Sequence, residues 1–246
     1  MTLIAHISDL HVSEGSFDEK TFLKFANEIN KQKPDIIIIT GDLTDDGYYK
    51  SFQKAEKYLQ MLQAPIFAVP GNHDSRNIGY ETFEKLIGER TWKLTKENEF
   101  TIIGLDSSVP DVNYGQIGRE QQLYLEAQLE QAQEENLTSI VALHHHVIPI
   151  PKTGRERNIL TDAGDILQTI VNNNVSMVIS GHKHVPNIWK LEETLFISAG
   201  SLSSYKLRGE DINSYNTYQI KNDTVEIVMH RIDGTKIYQG EYTLIK

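Results

Sequence analysis

The chain has 246 residues, 39% of them hydrophobic and 24% charged, enough for one large globular domain with a substantial core. Cys is absent, which excludes disulfides and thiolate-bound zinc, so any metal must be held by nitrogen and oxygen ligands. A formal net charge of −10 opposes polymeric nucleic acid as a partner and favours small anionic molecules drawn to a locally cationic site.

The amino terminus enters Leu3-Ile4-Ala5-His6-Ile7-Ser8 directly, without the basic start, apolar centre and cleavage site of a secretory leader. No run approaches the ~18 apolar residues of a membrane helix, so a cytoplasmic location without a membrane partner is expected. The β-rich run from Leu3 to Ser8 ends in Asp9-Leu10-His11, a spacing of two that puts both side chains on one side of an extended chain. Asp18 to Gln32 reads as an amphipathic helix capped by Asp18, with Phe22, Phe25, Ala26 and Ile29 on one face. Pro34-Asp35 stops it, and Ile36 to Ile39 forms the strongest strand, apolar on both faces, delivering Thr40-Gly41-Asp42 at its end.

Tyr48 to Gln63 has a helical pattern, and Ala64 to Val69 reads as a short buried strand that a Pro-Gly turn ends abruptly at Asn72-His73-Asp74. An amide, an imidazole and a carboxylate side by side suggest a metal ligand, a proton carrier and the group that orients it. A short helix over Tyr80–Ile87 precedes a strand over Glu99–Leu105, a polar surface loop from Val109 to Gly118, and a helix from Arg119 to Glu135. Ser139 to Leu143 is the next strand, ending in His144-His145-His146. Val147 to Asn158 holds two prolines and a glycine with Lys152, Arg155 and Arg157, which marks it as a candidate lid or substrate clamp. A helix over Ala163–Asn173 and a strand over Val175–Ile179 lead to Gly181-His182-Lys183-His184. Beyond Pro186 the helical signal vanishes, and five strands follow, at 188–191, 195–199, 215–220, 224–231 and 236–243. The whole, 1–246, reads as one α/β domain whose late strands, from about 188, extend or pack against the first sheet.

Five strand ends thus deliver Asp9 with His11, Asp42, Asn72 with His73, His144, and His182 with His184. Seven oxygen and imidazole donors are too many for one tetrahedral ion but suit two adjacent divalent cations. Asp42 is the expected bridge, since its strand is the most apolar and is expected to be central, and one carboxylate between ions about 3.5 to 4 Å apart is the arrangement of two-metal hydrolysis, with the water between them as nucleophile. His6 and His230 lie within strands and read as packed or solvated imidazoles.

Asp9-x-His11, Gly41-Asp42, Gly71-Asn72-His73-Asp74, a strand-terminal His144 and Gly181-His182-x-His184, in this order, resemble the calcineurin-like metallophosphoesterase superfamily. The short chain and the His-His pair are similar to the bacterial class III cyclic-nucleotide phosphodiesterases and related glycerophosphodiesterases. The resemblance covers roughly residues 3 to 200 and implies a four-layer α-β-β-α sandwich, two mixed sheets face to face between helices. It also implies that Asp9, His11, Asp42 and His184 hold one metal, while Asp42, Asn72, His144 and His182 hold the other. His73 would then donate to a phosphoryl or leaving-group oxygen, with Asp74 orienting its ring. These relatives commonly have His-His-Pro where this chain has His144-His145-His146-Val147, which leaves His145 as the alternative ligand.

The implied activity is hydrolysis of small phosphodiesters, with 3′,5′-cyclic nucleotides and glycerophosphodiesters as substrates to test. A phosphomonoesterase or nucleotide pyrophosphatase would use the same centre, and a non-catalytic metal-bound scaffold is the alternative from another class. Imidazole, carboxylate and amide ligands admit Mn, Fe, Co, Ni and Zn alike. The sequence leaves a homodimer open.

Overall fold

The structure, a computed structural model, describes residues 1–154 and 158–246, so Arg155 and Arg157 lie outside the described residues. From the amino terminus the elements are β1 (Thr2–Ile7), α1 (Glu19–Gln32), β2 (Ile36–Thr40), α2 (Tyr49–Leu59), β3 (Ile66–Val69), α3 (Gly79–Leu86), β4 (Trp92–Lys96) and β5 (Phe100–Gly104). There follow α4 (Gly118–Glu134), β6 (Thr138–Ala142), α5 (Ala163–Asn172), β7 (Met177–Ser180), β8 (Asn187–Leu191) and β9 (Thr194–Ser198). The chain closes with β10 (Ser214–Lys221), β11 (Thr224–Arg231) and β12 (Lys236–Thr243).

Strand β2 shows why the molecule is layered. Successive side chains of a strand point to opposite faces, so Ile37 and Ile39 meet Phe22, Phe25, Phe52 and Phe83 of the first three helices. Ile36 and Ile38 point the other way, into a second cluster with Phe100, Ile102, Ile140, Met177 and Ile197. A third cluster packs Leu125 and Leu129 of α4 and Ile166 and Ile170 of α5 onto Val141 and Val178. The result is helix, sheet, sheet, helix, the four-layer α-β-β-α sandwich that the resemblance implies.

Among the described residues each sheet has six strands, in the orders β12-β11-β10-β1-β2-β3 and β4-β5-β6-β7-β9-β8. The pairs β1–β2, β2–β3, β5–β6, β6–β7 and β7–β9 are parallel, and the others antiparallel, so both sheets are mixed. The late strands divide: β8 and β9 finish the second sheet, while β10 to β12 extend the first beside β1. Strand β2 is not central but next to the edge strand β3, because its burial comes from the facing sheet and the helices rather than from a middle position. Strand β4 has no counterpart in the sequence reading, and α2 stops at Leu59 rather than Gln63.

Asp18 caps α1 as expected, accepting from the backbone N–H groups of Lys20 and Thr21. No helix among the described residues is long and apolar enough to cross a membrane.

Candidate metal centre

The parallel strands end on one edge of the sandwich, where the two sheets approach closely. His144 donates from Nδ1 to the Thr40 carbonyl at 2.7 Å, tying β6 to β2. The approach needs glycine: a Cβ on Gly181 would stand 1.9 Å from Ser8 Oγ and 2.5 Å from Asp9 Oδ2, and one on Gly71 would stand 2.1 Å from Asp42 Oδ1.

All seven expected ligands converge there. Asp42 turns Oδ1 to the His73 backbone N–H at 2.9 Å, which leaves Oδ2 between His11 Nε2 at 3.5 Å and His144 Nε2 at 3.4 Å. On one side of it, Asp9 Oδ1 lies 3.1 Å from His184 Nε2 and 3.8 Å from His11 Nε2. On the other, Asn72 Oδ1 lies 3.1 Å from His144 Nε2 and 3.0 Å from His182 Nδ1. Asp9, Asp42, Asn72, His144 and His184 are buried, and so is His11.

Five of these residues, Asp9, His11, Asp42, His182 and His184, hold left-handed backbone with φ between 52° and 73°. Such a conformation costs on the order of 1 kcal/mol for a residue with a side chain and persists where surrounding contacts dictate it. Here the dictating contacts include Asp9 N–H to the Gly41 carbonyl at 3.0 Å and His11 N–H to the Asp42 carbonyl at 2.9 Å.

The donor set fits a pair of cations. Each candidate ligand histidine engages its outer ring nitrogen with an oxygen: His11 with Asp45 at 3.1 Å, His144 with Thr40, His182 with the Asn158 carbonyl at 2.7 Å, and His184 with the Lys206 carbonyl. A neutral imidazole that donates at one nitrogen presents a bare lone pair at the other. Those lone pairs face each other, His11 Nε2 to His184 Nε2 at 3.0 Å and His144 Nε2 to His182 Nδ1 at 3.2 Å. Among the described residues no hydrogen-bond donor reaches the buried Asp9 Oδ1. Acceptors gathered without donors repel unless a positive charge sits among them.

The protonation tendencies express the same demand. Burial works against a charged His144, but the Asp42 carboxylate overrides it and pushes the ring up to about 9. Burial likewise opposes a charged His184, which Asp9 nonetheless raises. Their facing partners are lowered, His11 and His182 both chiefly by burial. In each half the carboxylate pulls one ring toward the charged form.

His73 stands beside the centre, with a ring nitrogen within 4.8 Å of donor atoms of His11 and Asp42. Its orientation corrects the sequence reading: Nδ1 bonds to the Asp45 carbonyl at 2.8 Å and lies 3.0 Å from Asp45 Oδ1. Asp74 faces away, accepting from Leu43 N–H at 3.1 Å, Thr44 N–H at 2.8 Å and Gly71 N–H at 3.0 Å, and so locks two ligand loops together. Asp45 also accepts from Ser16 at 2.8 Å and pairs with Lys206; these contacts and the two histidines hold its carboxyl well below the usual range despite partial burial. Asp45 lies in the turn after Gly41-Asp42, and neither spacing nor adjacency ties it to His73.

His145 does not join the ligand cluster. Its Nδ1 lies 2.9 Å from Ser107 Oγ and its Nε2 donates to the Asn113 carbonyl at 3.3 Å. A cavity of about 410 Å³ opens above the ligands, lined by Asn113, Asn158, Leu207 and the cations Arg76, Lys183, Lys206 and Arg208. Arg76 is fixed by the Asp45 carbonyl at 3.2 Å and by Asn113 Oδ1 at 2.6 Å. Lys152, expected as a clamp, is exposed and does not line this cavity.

The profile of the calcineurin-like phosphoesterase family matches residues 2–186. The chain belongs to that family. It is similar to a probable cyclic nucleotide phosphodiesterase of Coxiella burnetii, with 27% identity over 96% of this chain and 91% of the relative. A probable glycerophosphodiester phosphodiesterase of Arcobacter nitrofigilis is 28% identical over 60% of this chain and 58% of its own length. Among solved structures, a dimetal phosphatase of Danio rerio shares the fold, with a TM-score of 0.71 at 12% identity over 97% of this chain and 99% of that one. As a calcineurin-like phosphoesterase the chain is an enzyme of phosphoric ester hydrolysis, with candidate metal-ligand residues gathered at the strand ends.

Proposed function

We propose that this calcineurin-like phosphoesterase hydrolyses small phosphodiesters with two divalent cations. The observation that carries the reading is the place of Asp42 Oδ2, 3.5 Å from His11 Nε2 and 3.4 Å from His144 Nε2, with an uncompensated acceptor set on either side. Asp9, His11, Asp42 and His184 would hold one ion, and Asp42, Asn72, His144 and His182 the other. When bound, the pair neutralises phosphoryl oxygens and acidifies water for attack on phosphorus.

The chain's own groups do the remaining work. Asp45 holds His73 at Nδ1, which leaves Nε2 as the nitrogen to give a proton to the departing oxygen. Burial disfavours a charged His73, but the Asp42 and Asp45 carboxylates raise its pKa, the direction a proton donor needs. Arg76 and Lys206 attract the substrate's anionic group to the cavity. The reading treats 1–246 as one unit, since the core between the sheets draws on residues from Ile4 to Leu244. It places the enzyme in the cytoplasm, acting on small molecules rather than polymers.

The similarity to the Coxiella and Arcobacter proteins supports 3′,5′-cyclic nucleotides and glycerophosphodiesters as substrates. A fixed Arg76 favours one second reading, a phosphomonoesterase, because a dianionic monoester profits from a rigid cation that a diester needs less. The test compares kcat/KM in manganese for bis(p-nitrophenyl) phosphate, p-nitrophenyl phosphate, cyclic AMP and glycerophosphocholine. Preference for the diesters is expected. A tenfold or greater preference for the monoester overturns the diester assignment.

A further inference from the structure

Asn113 lies between β5 and α4, in the stretch read from sequence as a surface loop. It stands exposed at the cavity rim, but its side-chain oxygen turns inward and accepts twice, from Asn72 Nδ2 at 3.2 Å and from Arg76 Nη2 at 2.6 Å. The loop is pinned beneath it. His145 donates to the Asn113 carbonyl at 3.3 Å, and Gly115 presses so close to the His145 ring that a Cβ there would stand 2.5 Å from it.

A side-chain amide has a donor end and an acceptor end of nearly the same shape, so its orientation is set by the partners at the two ends. For Asn72 the acceptor end faces His144 Nε2 and His182 Nδ1 at 3.1 and 3.0 Å. The other end decides. Asn113 Oδ1 can only accept, so it draws the NH₂ of Asn72 outward and leaves Oδ1 turned into the centre. The same oxygen fixes Arg76, whose two acceptors, Asn113 Oδ1 and the Asp45 carbonyl, are both uncharged, and which makes no ion pair among the described residues. The guanidinium therefore keeps its full charge at the cavity.

We propose that Asn113 is a positioning residue: through one acceptor oxygen it turns the Asn72 amide oxygen toward a cation and holds the Arg76 guanidinium over the substrate cavity. This rests on the two-cation reading above. Groups that orient metal ligands in this way contribute roughly 10- to 100-fold to metal affinity.

The test titrates the metal-free chain with manganese by calorimetry, in the wild type and in the Asn113→Ala and Asn113→Asp variants. Asn113→Ala should bind one of the two ions at least tenfold more weakly and the other within about threefold of wild type. Asn113→Asp keeps an acceptor for both donors and should recover the weakened ion. In the metal-free chain the side-chain amide resonances of Asn72 should move in Asn113→Ala and stay near their wild-type positions in Asn113→Asp. If the alanine chain fails to fold, Asn113→Ser, too short to reach Asn72, is expected to show the same single weakened ion. A titration of Asn113→Ala that superimposes on wild type overturns the inference, as does failure of Asn113→Asp to recover. A wild-type chain that takes up fewer than two ions overturns the two-cation reading itself, and the inference with it.

Discussion

The His73 ring points its Nδ1 at the Asp45 carboxylate, 3.0 Å away, and not at Asp74, its neighbour in the chain. Proton donation by a ring depends on which nitrogen carries the proton and where it aims. His73→Ala should therefore lower kcat by on the order of 10²-fold or more while the metals stay bound. Asp45→Ala should lower it in the same direction and also loosen His11, whose Nδ1 lies 3.1 Å from the same carboxylate. Turnover of both variants at full metal occupancy checks this; unchanged kcat would remove the pair from the mechanism.

Asp74 should act on stability instead. Its carboxylate satisfies three backbone N–H groups and the Thr44 hydroxyl, all buried. Each buried donor left without a partner costs ~1–3 kcal/mol, so Asp74→Ala should lose roughly 3 kcal/mol or more. The urea midpoint of the metal-free chain measures it, and a variant as stable as wild type would contradict the assignment.

These two carboxylates show where sequence reading ran out. Strands and helices were legible because burial imprints a period: the isoleucines of β2 and the Phe22, Phe25, Ala26, Ile29 face of α1 could have few other meanings. Strand β4 left no such imprint, since its Lys-Leu-Thr-Lys core is only half-buried at a sheet edge. The candidate ligands were legible as polar residues at strand ends. The roles of Asp45 and Asp74 depend on how the loop after β2 folds against the loop after β3, contacts spanning 28 to 31 residues that no local pattern records. The cations facing the cavity were missed for the same reason. Arg76 and the Lys206-Leu207-Arg208 stretch come from distant parts of the chain, whereas the visible cluster around Lys152 drew attention by its density.

The buried His6 sets an acid limit on stability. Its ring lies 2.6 Å from the Tyr218 hydroxyl and 2.8 Å from Thr40 Oγ1. Burial lowers its pKa from 6.5 to about 3, although nearby Asp9 pulls the other way. Below pH 6.5 the unfolded chain takes up a proton that the folded chain refuses. The contribution is thus complete above that pH and is lost as pH falls toward 3, by ~1.4 kcal/mol per unit inside the window. His6→Gln should flatten this limb in urea titrations of the metal-free chain between pH 4 and 7; parallel limbs would show that His6 is not responsible.

Gly71 should tolerate no side chain. A Cβ would lie 2.1 Å from Asp42 Oδ1 and 2.4 Å from the Asp42 backbone nitrogen, so Gly71→Ala must displace the carboxylate between the two ligand sets. Both ions should bind more weakly, by tenfold or more, in a chain that still folds. Manganese titration reads this directly, and wild-type affinity for both ions would contradict it.

If Asp42 joins two cations, the metal stoichiometry of the chain must show it. Elemental analysis of the chain reconstituted with manganese and dialysed without chelator should give close to two ions per chain for wild type. Asp9→Ala should mainly weaken one of them, and Asp42→Ala both. A reconstituted wild type that never exceeds one ion per chain would contradict the account.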